Sequence, residues 1–168
     1  MKKLLSLLIL SVSLFPHCKV VKYTPEKFPV KQLIFGNGGG FAGIETSYLL
    51  LENGQVFKRV GINNSYAELL PIKGKKTKEL YSKLNAVQLY KLDVDKPGNL
   101  YYFLQQVTEN TDSRATWGAG DYLPPQNLVS IYRELYALVK DRKLLKENQV
   151  GPASEDKEKK KESDATKW

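Results

Sequence analysis

The sequence predicts an α+β domain with an antiparallel sheet of about five strands, a meander plus a C-terminal hairpin, and two helices packed on one face. Three observations support this fold class. Short apolar segments joined by turn signals lie on both sides of Asn53-Gly54. Two later segments have apolar residues at helical spacing. The length of 168 residues suits a single domain with one core.

Short β-prone segments begin the domain. The first strand is predicted over residues 30–35, and it leads into the glycine-rich stretch GNGGGFAG at residues 36–43. A second strand is predicted over residues 44–51 and a third over residues 56–60, joined at Asn53-Gly54. Asn-Gly between such segments favours a two-residue type I′ turn, because that turn needs positive φ at both central residues.

This turn also predicts the pairing and the faces of the strands. It pairs Leu51 with Val56 and Leu50 with Phe57. Alternate residues of a strand point to opposite faces of a sheet. We expect the face with more aromatic bulk to lie against the helices, and this face holds Ile44, Thr46, Tyr48, Leu50 and Phe57.

The first helix is predicted after an irregular connection. Residues 61–74 are expected to be irregular or briefly extended. Residues 77–89 predict a helix, because Thr77 can cap it and apolar residues recur at i, i+4 and i+7. This stripe consists of Leu80, Leu84 and Val87.

The C-terminal half predicts a hairpin and a second helix. Residues 100–109 are rich in aromatic and β-branched residues, which favour a strand, and residues 113–117 return as its partner. Pro124-Pro125 begins the last helix, where proline is tolerated. The apolar stripe of that helix is Leu128, Ile131, Tyr132, Leu135, Leu138 and Val139. This spacing is typical of a helix that packs against a core.

The N-terminal residues predict export. Lys2 and Lys3 precede an apolar region at residues 4–15, which is too short to cross a bilayer and is typical of a signal peptide. The single cysteine of the chain, Cys18, follows and resembles the lipid-modified cysteine of bacterial lipoproteins. We expect residues 1–17 to form a lipoprotein-type signal peptide. Cys18 would then receive the acyl groups that anchor the chain in a membrane.

The remaining boundaries follow from composition. Residues 18–29 contain two prolines and no apolar period, and we expect a tether there. A single domain is expected over residues 30–148. Residues 149–168 are charged and predict a disordered tail. The formal net charge of +8 suits an acidic partner or an anionic membrane, or serves solubility alone, whereas export argues against nucleic acid.

The residue types available argue against catalysis. His17 is the chain's only histidine and lies in the predicted signal peptide. The mature chain would have neither an imidazole nor a free thiol, which excludes Ser-His-Asp and Cys-His catalysis and zinc sites built from His or Cys. Pairs of carboxylates remain as an alternative, but most of the acids fall in turns and strand ends. We expect a protein that is not an enzyme and that uses no cofactor or metal.

The glycine-rich stretch allows two interpretations. It opens into a strand and lacks Gly-Lys-Ser or Gly-Lys-Thr, which argues against nucleotide binding. In the first interpretation the glycines supply positive φ for a wide turn, and Phe41 folds back over the core. In the second, Phe41 is exposed on a ligand loop. The partner-binding residues would then be Gly38, Gly39, Gly40, Phe41, Ala42 and Gly43.

The segment Gly39-Gly40-Phe41-Ala42-Gly43-Ile44 resembles emfourin, a family of bacterial protein inhibitors of thermolysin-like (protealysin-type) metalloproteases. The order of later elements is similar over residues 30–139: a helix with a leucine stripe, an aromatic strand, its partner, and a Pro-x-x-Leu helix start at residues 125–128. With its signal peptide, the chain also resembles lipoproteins of Bacteroidetes-type bacteria. The resemblance implies inhibition by occlusion of a protease cleft, with Phe41 as an anchor.

These observations together predict an exported, lipid-anchored binding protein of the bacterial cell envelope, at the periplasmic face or in the outer membrane. Its protein partner would be a metalloprotease or an envelope component. The alternative is a structural or accessory envelope lipoprotein without inhibitory activity. If Cys18 is not acylated, the protein is expected to be secreted. A third interpretation, a small-molecule carrier, requires an apolar cavity between sheet and helices.

Overall fold

The computed structural model describes residues 21–61 and 65–147. The predicted signal peptide, Cys18 and the charged tail lie outside the described residues. The elements within them follow in the order β1 (Gln32–Gly39), β2 (Thr46–Leu50), β3 (Val56–Val60), β4 (Tyr66–Leu69), α1 (Gly74–Val87), β5 (Asp95–Lys96), β6 (Leu100–Val107), β7 (Asp112–Trp117), α2 (Gln126–Val139) and β8 (Leu144–Glu147). A 3₁₀ turn, Leu89–Lys91, follows α1.

The strands form a single mixed sheet of eight strands in the order β5-β7-β6-β1-β2-β3-β4-β8. All neighbouring pairs are antiparallel except β5 and β7, which are parallel.

The α+β class and the two helices are confirmed, but the prediction of about five antiparallel strands is wrong. The strands that it missed, β4, β5 and β8, have only four, two and four residues. Such short segments are too brief to show an alternating pattern.

Both helices pack on the same face of the sheet, as predicted. The stripe of α1 is buried at Leu80, Leu84 and Val87. Gln106 of β6 donates a hydrogen bond to Asn85 of α1 at 2.9 Å, so α1 lies across β6. The sheet side of this core consists of Leu33, Phe35, Tyr48, Leu50, Val56, Leu69, Leu104, Ala115 and Trp117.

The pairing of β2 with β3 differs from the prediction by one residue. Leu50 pairs with Val56 and Leu49 with Phe57, so the predicted pairing of Leu50 with Phe57 is wrong. Because side chains alternate between faces, this shift moves Phe57 to the face that the helices do not cover. The predicted face is therefore wrong for Phe57, whereas Tyr48 and Leu50 do lie against the helices.

Hydrogen bonds in the turn explain the shift. The N–H of Leu51 donates to the carbonyl of Gln55 at 3.0 Å, and the N–H of Gly54 donates to that of Leu51 at 2.9 Å. The loop therefore has three residues and not two. Gly54 has φ +91°, whereas Asn53 does not have the positive φ that a type I′ turn requires. This arrangement is a type I turn followed by a left-handed glycine.

The second face of the sheet has a smaller apolar cluster that the N-terminal segment covers. Its buried members are Leu49, Leu51 and Phe57. The ring of Phe28 lies 4.9 Å from that of Phe57 and 5.2 Å from that of Tyr66, in edge-to-face geometry. Residues 21–29, where the sequence predicts a tether, thus pack on the sheet.

Candidate functional site

The glycine loop connects β1 to β2 at one end of the sheet. Gly39 and Gly40 have φ values of +95° and +72°, which residues with a side chain rarely adopt. These two glycines reverse the direction of the chain. The N–H of Gly40 donates to the carbonyl of Asn99 at 2.7 Å, and the N–H of Gly43 donates to that of Gly40 at 3.1 Å. These bonds attach the loop to the segment before β6 and close a tight turn inside it.

The Phe41 side chain projects from this loop into solvent. Its exposure is 111%, the full value for a phenylalanine with no protein neighbour covering it. Ala42 and Gly43 are exposed as well. The interpretation in which Phe41 folds back over the core is therefore wrong. Exposure of a phenylalanine is the observation that separates the two interpretations of the glycine stretch.

Other exposed apolar side chains lie at the same end of the sheet. Gly39 pairs with Leu100, which is 60% exposed, and Ile44, in the same loop as Phe41, is 51% exposed. Leu123 is also exposed. It lies in the connection between β7 and α2, and this connection begins at the same end of the sheet. We call the side chains of Phe41, Ile44 and Leu100 the Phe41 surface. Apolar groups gathered in this way are typical of a site that contacts a protein.

A cluster of charged and polar side chains lies next to the loop on the second face of the sheet. The Oε2 atom of Glu45 accepts hydrogen bonds from Arg114 at 2.8 Å and from the hydroxyl of Tyr101 at 3.1 Å. Arg59 lies 3.9 Å from the other carboxylate oxygen. We call these four residues the Glu45 cluster. It fixes the end of the glycine loop, because Glu45 directly precedes β2.

Two close approaches complete the Glu45 cluster. The guanidinium of Arg114 lies 3.7 Å from the centre of the Phe103 ring, so it covers a phenylalanine that is fully buried. The hydroxyl end of Tyr101 lies against Gly38, where a Cβ atom would come within 2.5 Å of the tyrosine oxygen. Partial burial, together with the Glu45 carboxylate, raises the pKa of Tyr101 above its usual value.

The structure brings together some of the predicted binding residues and adds others. Gly38 and Gly39 belong to the end of β1, whereas Gly40, Phe41, Ala42 and Gly43 form the turn itself. The sequence predicted this loop but missed Tyr101 and Arg114, which are 56 and 69 residues away from Glu45. No local pattern in the sequence indicates such distant partners.

The polar side chains beside the glycine loop are paired with one another. Among residues 21–61 and 65–147, no group of three or more His, Cys, Asp or Glu side chains is placed to hold a metal ion. The Glu45 carboxylate is occupied by Arg114 and Arg59. The arrangement offers an apolar side chain on a fixed backbone and a charged border beside it.

Pockets elsewhere on the described surface are open clefts. One of about 430 Å³ lies between β1 and α1 and is lined by Lys31, Glu52, Lys78, Tyr81, Ser82 and Asn85. A second, of about 260 Å³, lies between the helices near Lys83 and Glu134. Both have charged walls, unlike the enclosed apolar cavity that a carrier of small molecules would need.

The chain matches no protein-family model, and no curated protein matches it significantly. In the part of the chain that the structure describes, no helix has the length and apolar content needed to cross a bilayer.

Proposed function

We propose that this protein is a non-enzymatic binding protein of the bacterial cell envelope that inserts the Phe41 loop into a cleft of a protein partner. In its most specific form, the partner is a thermolysin-like metalloprotease and the protein is its inhibitor. An acyl group on Cys18 would hold the protein at the membrane. The observation that supports the proposal is the full exposure of Phe41 on a loop that hydrogen bonds fix on both sides.

The energetics of such a contact are favourable. Burial of an exposed phenylalanine contributes about 2–3 kcal/mol through removal of apolar area from water. A loop already held by the Gly40–Asn99 hydrogen bond and by the Glu45 cluster loses little conformational freedom on binding. Glycines on both sides of Phe41-Ala42 allow the partner's surface to approach the backbone closely.

The proposal predicts inhibition that depends on one side chain. We expect the purified full chain to reduce the activity of a thermolysin-like protease toward a peptide substrate at micromolar concentration. We expect Phe41→Ala to weaken this inhibition by about 30- to 150-fold, the equivalent of about 2–3 kcal/mol. Tyr90→Ala is the matched control, because Tyr90 is an aromatic residue that is 58% exposed on the turn after α1.

Two results would count against the inhibitor. Full protease activity in the presence of excess protein would remove this target class, and co-purification with an envelope complex would then favour the accessory lipoprotein. Inhibition that survives Phe41→Ala unchanged would place the binding surface elsewhere on the molecule.

A further inference from the structure

The first described residues lie at the end of the sheet opposite the Phe41 surface. Asn53, in the β2–β3 turn, donates a hydrogen bond to the carbonyl of Val21 at 2.7 Å. The Gln55 side chain bonds to both the N–H and the carbonyl of Tyr23, at 2.7 and 3.1 Å. The five residues of β2 separate this turn from the glycine loop, a distance of about 15 Å or more. The N-terminal segment therefore enters the domain far from Phe41.

Exposed apolar side chains also gather at this opposite end. Val21 is 60% exposed, and it lines a cleft of about 270 Å³ together with Leu145, which is 42% exposed. Leu144 pairs with Leu69 at the end of β4, and the next residue, Leu70, donates its N–H to the carbonyl of Lys143 at 2.9 Å. Paired residues of neighbouring strands share a face, so Leu144 lies on the helix side with the buried Leu69. We call Val21, Leu70 and Leu145 the Val21 surface.

The Val21 surface has cationic side chains around it. Lys22 and Lys143 are exposed and adjacent to it in the chain, and Lys73 and Lys75 are exposed where α1 begins. Lys22 also lies 3.6 Å from the Glu68 carboxylate, which lines the same cleft, so Lys73, Lys75 and Lys143 supply most of the excess positive charge. The hydrogen bond from the N–H of Ile72 to the carbonyl of Gly54, at 2.8 Å, places the start of α1 at this end of the sheet. Apolar side chains with a border of lysines are typical of a surface that contacts anionic lipid headgroups.

Chain length connects this surface to the predicted anchor. Cys18 precedes Val21 by three residues, which span at most about 11 Å when fully extended. A domain held that closely must place the residues near Val21 against the bilayer. We propose that the Val21 surface contacts the anionic headgroups of the membrane, so that the Phe41 surface faces away from it toward a partner. The orientation rests on the proposed acyl anchor, whereas the lipid contact itself does not.

Amine-reactive footprinting of the full chain, read residue by residue by mass spectrometry, tests this contact. The protein is compared free and on vesicles of phosphatidylethanolamine with phosphatidylglycerol. We expect modification of Lys22, Lys73, Lys75 and Lys143 to slow severalfold on the vesicles. Lys91 and Lys96 are exposed on other parts of the described domain and should react at the same rate in both samples. Equal protection of all these lysines, or protection of Lys96 alone, would overturn the proposal.

A pair of matched variants separates contact from simple proximity. Leu145→Glu places a negative charge in the Val21 surface and should remove most of the protection of Lys143 and Lys22. Leu123→Glu makes the same change at the other end of the sheet and should leave the protection as it is. Vesicles of phosphatidylcholine alone should protect each lysine less. The affinity of the protein for these vesicles should fall by about fivefold for each lysine–lipid contact that is lost. Protection that is insensitive to Leu145→Glu would contradict a direct lipid contact.

The same experiment distinguishes failure of the anchor from failure of the surface. The mass of the peptide that contains Cys18 shows whether the cysteine is acylated. If it is not, protection of Lys73 and Lys143 on anionic vesicles would still support the lipid contact, and reaction at the free rate would overturn it. The Phe41→Ala inhibition assay is done without vesicles, so its outcome does not depend on either result.

Discussion

At the scale of single residues, two buried tyrosines differ in whether the hydroxyl has a hydrogen-bond partner. The hydroxyl of Tyr81 in α1 donates to the carbonyl of Leu50 in β2 at 2.7 Å. The hydroxyl of Tyr132 in α2 is buried and has no hydrogen-bond partner within the described part of the chain. Burial raises the pKa of both phenols far above the usual value. Only the first hydroxyl stabilises the fold through a specific bond.

The same substitution should therefore have different effects at the two positions. We expect Tyr81→Phe to lower the free energy of unfolding by about 1–2 kcal/mol, because it removes a buried hydrogen bond between helix and sheet. Tyr132→Phe should change it by less than about 0.5 kcal/mol or increase it, because the variant no longer buries an unpaired hydroxyl. Urea unfolding of both variants measures the difference. Equal losses would mean that Tyr132 has a partner, such as a bound water.

The candidate site was predictable from the sequence only in its local part. The glycines around Phe41 indicate a loop, because the wide conformational range of a glycine does not depend on distant residues. The Glu45 cluster depends on which strands become neighbours, and Arg114 meets Glu45 only because β7, β6, β1 and β2 follow one another in the sheet. The exposure of Phe41 is also a property of the folded domain, so the sequence left both interpretations open.

At the scale of elements, the β2–β3 turn shows how a distant contact selects one turn type. Asn-Gly favours two residues at positive φ, yet only Gly54 adopts it. The carbonyl of Gly54 accepts a hydrogen bond from Ile72, and a Cβ atom on Gly54 would lie 2.3 Å from the carbonyl oxygen of Ile72. The segment before α1 therefore packs directly on the turn. No local propensity includes that contact, which explains the error of one residue in the predicted pairing.

Two glycine substitutions measure this contact. Gly54 and Gly43 both have positive φ, but a Cβ atom on Gly43 would meet no atom within 4 Å. We expect Gly43→Ala to lower the free energy of unfolding by about 1 kcal/mol through backbone strain alone. Gly54→Ala should cost about 3 kcal/mol or more, because the backbone of residue 72 must also move. Chemical denaturation of both variants tests this, and similar costs would show that the contact with Ile72 is easily relaxed.

Ion pairs link the two helices on the outer side of the domain. Glu134 of α2 accepts hydrogen bonds from Lys76 at 2.6 Å and from Lys83 at 2.8 Å, both in α1. Glu79 of α1 joins the same two lysines, at 3.0 and 2.7 Å. Hydrogen bonds from Lys76 and Lys83 lower the pKa of Glu134, and bonds from Lys83 and Lys76 lower that of Glu79.

The lowered pKa of Glu134 predicts the pH dependence of this contribution. A carboxylate with a lower pKa in the folded state stabilises the fold above its unfolded pKa, near 4.5, and this stabilisation is lost as pH falls through the folded value. We expect Glu134→Gln to lower the free energy of unfolding by about 0.5 kcal/mol at pH 7 and low salt, because the pair is partly exposed. The difference from the parent protein should vanish in strongly acidic buffer and in about 1 M salt. A difference that persists under both conditions would show a role in packing.

At the scale of the whole molecule, the sheet has a core on each face, and the sequence predicted only one of them. The helix-side core was predictable, because the stripes of α1 and α2 repeat at the helical period. The second core was missed because Phe28 lies in a segment without any period, between Pro25 and Pro29. The short strands β4 and β8 were missed for a related reason. Pairing with neighbouring strands stabilises them, and their own sequences have no alternating pattern that would predict a strand.

The second core predicts that residues 21–29 belong to the folded domain and not to a tether. Phe28 packs edge-to-face on Phe57 and Tyr66, so Phe28→Ala should lower the free energy of unfolding by about 2 kcal/mol. Val30 is 57% exposed, and Val30→Ala should change it by less than about 0.5 kcal/mol. Urea unfolding of the two variants, with limited proteolysis before residue 30, measures both effects. A free tether would give equally small losses and rapid cleavage, whereas a packed segment is cleaved slowly until Phe28 is removed.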